Sequence, residues 1–213
     1  MQKAVFSIFL FCVAGFCLAE PGNEFILGPW KLGMTREEVG KQVEYGPYVP
    51  VKSTGGLETF NAVLDGKKEN VSFAFGADDK VEYMQWFKYE GGDFPAAKAA
   101  ALDIFRLFDS RYGGAAIHGV AVNGEERLNE GAFNAFIERT LGTSPELGEK
   151  ARADSNAMLV TFDMRPLKQP PNCRLHSQLV YYSRFKVFYV FLFVDRPDAP
   201  DRTKKSLITI EKL

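Results

Sequence analysis

Cys173-Arg174-Leu175-His176 puts a thiol and an imidazole within four residues, the two groups that a cysteine nucleophile and its general base require. In an extended strand, residues three apart point to opposite faces. The dyad therefore closes only if the chain bends at Pro170-Pro171-Asn172. His118 is the other candidate base. The alternative is a partly buried thiol and a strand-face imidazole with no reaction between them. Metal binding would draw on His118, His176 and Cys173, but a structural zinc site takes four ligands and carboxylates would have to complete it. The expectation is no metal.

Asp163 stands in an apolar strand pattern, where burial would raise its pKa. Arg165, two residues on, shares its face and offers a partner. The chain contains no phosphate loop, no Gly-x-Ser-x-Gly elbow and no His-Glu-x-x-His helix, so neither a cofactor nor a hydrolytic motif is expected. Asp78-Asp79 falls in a turn, where acidic residues serve backbone conformation. A formal net charge of −1, with no long basic run, leaves no electrostatic footprint for nucleic acid.

The elements that would position these groups begin after an apolar leader. Residues 1–19 read as a signal peptide: Lys3, an apolar run from Ala4 to Leu18, and small residues at Cys17 and Ala19 ahead of Glu20-Pro21. The run is short for a membrane span, which takes about 20 apolar residues. Cys12 and Cys17 each follow phenylalanine, a poor context for lipidation. Cleavage after Ala19 would leave Cys173 as the sole thiol, with no intramolecular disulfide. A soluble periplasmic or secreted product of a Gram-negative bacterium is expected.

Thr35-Arg36-Glu37-Glu38 forms a capping box for a short helix that stops near Tyr45-Gly46-Pro47. Three strands come next, in hairpin order. Leu57–Leu64 enters the turn Asp65-Gly66, Val71, Phe73 and Phe75 mark the return strand, and the third begins at Val81. On that third strand, strict alternation places Val81, Tyr83, Phe87 and Tyr89 on one face and Met84 and Trp86 on the other. Phe94, Ala97, Ala101, Ile104, Phe105, Phe108 and Tyr112 trace one face of a long helix. Residues 115–129 read as loop with a short strand near Ile117–Val122. A second helix carries Phe133, Phe136, Ile137 and Leu141, and Ser144-Pro145-Glu146 caps another. Strands are expected near 156–165, 173–182, 187–195 and 204–211. Val187–Val194 is apolar on both faces and belongs at the centre of a sheet.

The fold class is α+β: antiparallel sheet with helices packed on one face. Two organisations fit, a tandem duplication of a helix-then-meander unit or one continuous sheet. The halves would be 20–114 and 115–213.

Gly33-Met34-Thr35, together with Glu38-Val39 and Tyr45-Gly46-Pro47 further along, resembles a pattern of small exported bacterial proteins. It is found in the SmpA/OmlA outer-membrane assembly lipoproteins and in β-lactamase-inhibitor-like folds. The resemblance covers that short stretch and a compatible order of elements. This chain departs from the lipoproteins in lacking a lipidation site and in having a second α+β half. The resemblance implies an exported, non-enzymatic protein that works by contacting other proteins, and it transfers no binding residue.

Within Gly28-Pro29-Trp30-Lys31-Leu32-Gly33-Met34, the glycines and the proline read as scaffold, while Trp30 is either core or an exposed anchor. Aromatics are 14% of the chain, enough to fill a core and leave some outside. If helices cover the Val81/Tyr83 face, Met84 and Trp86 are exposed and join Trp30 as binding anchors. If a second layer covers both faces, they are core. The leading expectation is a protein-binding module whose partner is another envelope protein. The alternatives are an immunity or inhibitor protein against an envelope toxin or hydrolase, a cysteine-dependent enzyme, and a carrier of apolar ligands.

Overall fold

A computed structural model describes residues 24–117, 129–138, 158–182 and 185–198. The signal segment, His118, the Ser144 cap and the expected strand 204–211 lie outside them. The described elements are α1 (Arg36–Gly40), β1 (Tyr48–Val51), β2 (Gly56–Leu64), β3 (Lys67–Phe75), β4 (Val81–Gly91), α2 (Phe94–Tyr112), β5 (Ala115–Ile117), α3 (Glu130–Ile137), β6 (Met158–Pro166), β7 (Arg174–Tyr182) and β8 (Val187–Asp195). All eight strands form one antiparallel sheet in the order β1-β2-β3-β4-β8-β7-β6-β5. Two meanders, β1–β4 and β5–β8, thus meet through their last strands.

Each turn has a local cause. Asp65 and Gly66 both adopt positive φ (52° and 73°), the geometry that a two-residue hairpin imposes on its central residues. Thr35 and Glu38 form the expected capping box at α1. α2 has Pro95 in its first turn and ends at Gly113 in the left-handed region. β1, an edge strand containing Pro50, was not legible in the sequence. β8 lies between β4 and β7, as its two apolar faces require.

α2 lies against β4 and β8 and reaches β5, β6 and β7. Under it sits the main core, which includes Phe73, Met84, Leu175, Leu179, Leu192 and Val194 together with Ile104, Phe105 and Phe108 from the helix. α3 packs on α2 through the stacked rings of Phe105 and Phe133, 4.7 Å apart, with Arg106–Glu130 and Lys98–Glu138 ion pairs at the rim. The other face of the sheet carries a smaller cluster of Val180, Phe191 and Phe193 flanked by Tyr83, Phe87 and Tyr189.

Alternation along β4 breaks twice. The register of β3 on β4 shifts between Ala74 and Phe75, and that of β4 on β8 shifts between Phe87 and Tyr89. Each bulge adds a residue on one side and flips the alternation beyond it. Val81 and Tyr89 therefore join the helix-side core, whereas Tyr83 and Phe87 stay on the opposite face. The single face expected for those four residues does not exist, and the helix covers the Met84/Trp86 side instead.

The opening stretch is built into this core. Trp30 is fully buried, packed edge-on against Tyr45 and Phe73 at 5.1 Å each, and its indole N–H donates to Tyr48. Gly28 has a φ of 58°, and a Cβ there would stand 2.8 Å from Leu64. Gly33 donates to the carbonyl of Val81, and Val81 to that of Met34, tying the stretch to β4. These residues position backbone and fill core. Replacing Trp30 with alanine should cost about 3–5 kcal/mol, the range for a large aromatic lost from a core. Urea denaturation checks it: a midpoint shift within error of zero would show that the ring is not core.

Candidate functional site

β3 and β4 leave their hairpin paired and then part. Their ladder runs from Phe75↔Val81 to Asn70↔Phe87 and stops, although both strands continue. Beyond that point Lys67, Lys68 and Glu69 stay with β2, held by the tight Asp65–Gly66 turn, while Tyr89, Glu90 and Gly91 go with β8. The result is a fork three residues deep whose facing backbone edges have no ladder partner across the gap. The corresponding pair in the other meander, β7 and β8, stays in register over its whole length, from Arg174↔Asp195 to Tyr182↔Val187. The β6–β7 ladder also stops short, at Met164↔Ser177, where β6 passes to β5 and β7 continues on β8, so split ladders occur in both meanders.

Lys88 is the bulged residue at the branch. The β4–β8 register passes from Phe87↔Phe191 to Tyr89↔Val190 and skips it. Bulges re-aim side chains and concentrate beside functional sites. The Lys88 side chain is only 4% exposed, with its ammonium 3.4 Å from Asp65, 3.7 Å from Asp103 on α2 and 4.6 Å from the centre of the Trp86 ring. One buried cation thereby joins the hairpin turn, the branch strand and the helix. Both carboxylates are partly exposed, so the cluster spans from core to solvent.

The fork is the mouth of a groove of about 470 Å³, within the size range of small-ligand sites. Its floor is α2, which presents Ala96, Ala99 and Ala100; larger side chains there would fill the space. Tyr89 fixes the helix to the branch strand, its hydroxyl accepting from the Asp93 amide at 3.1 Å. Glu69, Asn70 and Glu90 line the walls. Burial pushes the Glu69 carboxyl above the ordinary carboxylate range, while Lys88 pulls it the other way. Among the described residues no cation lies within ion-pair distance of Glu69.

The residues singled out by sequence lie elsewhere. Trp30 and Met84 are fully buried and Trp86 is 6% exposed, so all three are core and not exposed anchors. Trp86 borders the groove through Lys88 and Glu69. Cys173 belongs to the helix-side core beside Tyr112, whereas His176 stacks on Phe193 on the opposite face at 4.5 Å, its Nδ1 3.7 Å from Asp195. The thiol and the imidazole are thus on opposite sides of the sheet. Arg165 pairs with Asp163 at 3.1 Å. His118 lies outside the described residues. Among the described residues no three His, Cys, Asp or Glu side chains gather as metal ligands.

Lys88 carried a signal that alternation alone could have flagged. It continues the Met84/Trp86 stripe, where a charge is out of place unless it has partners. The fork itself had no such signal, because it arises from pairing choices between distant strands.

Burial, reinforced by Asp195, pushes the Cys173 thiol from its usual 9.0 up to about 12, and burial likewise raises Tyr112 from 10.0 to about 12. Native Cys173 should therefore alkylate at least roughly a hundredfold more slowly at pH 8 than the same residue in the urea-unfolded chain, read by mass spectrometry of the labelled peptide. Both groups hold their protons more tightly folded than unfolded. Their stabilising contribution is present below pH 9 and is lost as pH rises toward 12. Urea midpoints measured across pH 8–12 should fall, and Cys173→Ala should delay the onset; a flat profile would contradict the assignment.

No protein-family model matches the chain, and neither a curated protein nor a solved structure shows significant similarity to it.

Proposed function

We propose that this chain is an exported, non-enzymatic protein-binding module that receives an extended segment of a partner in the β3–β4 fork. The observation that carries the reading is the pair of strand edges facing each other across a groove. Extended peptides bind exposed sheet edges through main-chain hydrogen bonds, with side-chain pockets supplying selectivity. Here the edges are three residues long, about 10 Å at the rise of a strand. The groove beside them has polar walls and an alanine floor.

The apolar leader supports export to the periplasm, and no helix among the described residues is long and apolar enough to cross a membrane. The entry pattern Gly33-Met34-Thr35 supports kinship in kind with exported proteins that act by contact. The mirrored strand order supports a tandem origin, two copies of one four-stranded unit.

Ala99 is exposed on α2 and lines the groove, so leucine there should fill the groove while leaving helix and core intact. Linear peptides displayed on phage should enrich on the wild-type protein and fail to enrich on Ala99→Leu, with the two proteins melting together. Equal enrichment on both, or none on either, would refute the fork as the binding site.

A further inference from the structure

The sheet face turned away from α2 is closed in one half and open in the other. Over β7 and β8 it holds Val180, Phe191 and Phe193, which are 1%, 2% and 2% exposed. Over β1–β3 the same face meets solvent. Ser72 and Asn70 share this face with Tyr83 and Phe87, as the β3–β4 register requires, and alternation adds Lys68. Pairing carries it across β2 to Glu58, opposite Ser72, and to Val63, opposite Lys68. On β1 it continues to Val49, opposite Glu58. Thr59 turns inward, its hydroxyl donating to the Tyr45 carbonyl, so Phe60 turns outward.

Val49, Phe60 and Val63 are 47%, 56% and 49% exposed. Among the described residues, three of the seven exposed large apolar side chains therefore share one half-face. That makes a patch, where apolar residues scattered singly would need no explanation.

The charges around the patch are arranged for self-recognition. On β3, Ser72 and Lys68 stand two residues to either side of Asn70, and the register shift puts Phe60 and Asn61 opposite Asn70. Glu58, beside Ser72, and Lys68 thus flank Phe60 from opposite ends. Neither forms an ion pair among the described residues. A two-fold axis running in the plane of the face, through the Phe60–Asn70 row, carries the Glu58 end of one copy onto the Lys68 end of the other. Such closed, isologous contacts are the commonest form of oligomer interface.

We infer that the open half of this face docks a second copy of the chain, sheet on sheet, with Phe60 near the two-fold axis and Glu58 of each copy paired to Lys68 of the other. Face-to-face sheets pack about 10 Å apart, a gap that long charged side chains bridge at the rim. Association through the β1 edge is disfavoured by Pro50, which leaves the face as the route to self-recognition. A formal net charge of −1 sets little long-range repulsion against it. The footprint is three strands wide and about 30 Å long at the rise of a nine-residue strand. That is smaller than the standard interface of about 800 Å² per partner, so the dimer is weak and concentration-dependent. The inference stands apart from the fork, whose floor is on the α2 side.

Sedimentation velocity of the full chain, from tens to hundreds of micromolar, reads the outcome. The wild-type protein should shift from monomer to dimer, and Phe60→Thr, which keeps a strand-forming residue, should stay monomeric. Glu58→Lys and Lys68→Glu should each weaken dimerisation at least about tenfold, because each sets like charges together at both symmetric contacts. The double variant should recover to within about threefold of wild type. Thermal melts matching the wild type would show that the exposed substitutions leave the fold intact. A monomer throughout the range, or self-association unchanged in Phe60→Thr, would overturn the inference. So would a double variant no better than its parents, because the pairing across the axis would then be wrong.

Discussion

The pairing of β4 with β8 is the interaction on which everything else hangs. It joins two meanders into one sheet, and it seats the doubly apolar β8 where both of its faces can be buried. α2 then lies across the seam, so residues from both meanders share one core. Strand β4 has two neighbours to satisfy, β3 on one side and β8 on the other. Its bulges are where the two demands disagree. Past Phe87 it stays with β8 and abandons β3. The fork is what a strand leaves behind when it serves a second sheet partner at the expense of the first.

Lys88 shows how that compromise is stabilised. An isolated ammonium taken out of water is costly, and one carboxylate at 3.4 Å would compensate only in part. Two carboxylates from different elements, together with the face of Trp86, offset more of the loss. Because Asp65 sits in the hairpin turn and Asp103 on the helix, the same contacts hold the two prongs of the fork at a fixed spacing. A purely apolar residue at 88 would pack but would lack this three-way link. The charged cluster therefore specifies geometry more than it adds net stability.

The helices, the hairpin turn and the central position of β8 could be read from the sequence, because each depends on signals within a dozen residues. Thr35 with Glu38 marks a cap, Asp65-Gly66 a turn, and the Phe94–Tyr112 periodicity a helix face. The orientation of β4 could not be read. Alternation assigns Val81, Tyr83, Phe87 and Tyr89 to one side, and nothing local to them announces the bulges that separate them. Alternation left Met84 and Trp86 either exposed or core, depending on which face the helices cover, and they lie under α2 as core. Trp30 stood as either core or anchor, and its ring contacts with Tyr45 and Phe73 make it core. The Cys173 and His176 separation, in contrast, came from strand geometry alone. The fork is a long-range feature, set by a competition between β3 and β8 that no window of sequence contains.

Pro50 has a consequence beyond the strand that carries it. β1 is the outer strand at one margin of the sheet, and an outer strand invites copies of the same protein to stack on it until fibres grow. A proline offers a newcomer no amide hydrogen, and four residues give little length to grip. This margin of the sheet is thereby a poor template for a second copy of the same chain.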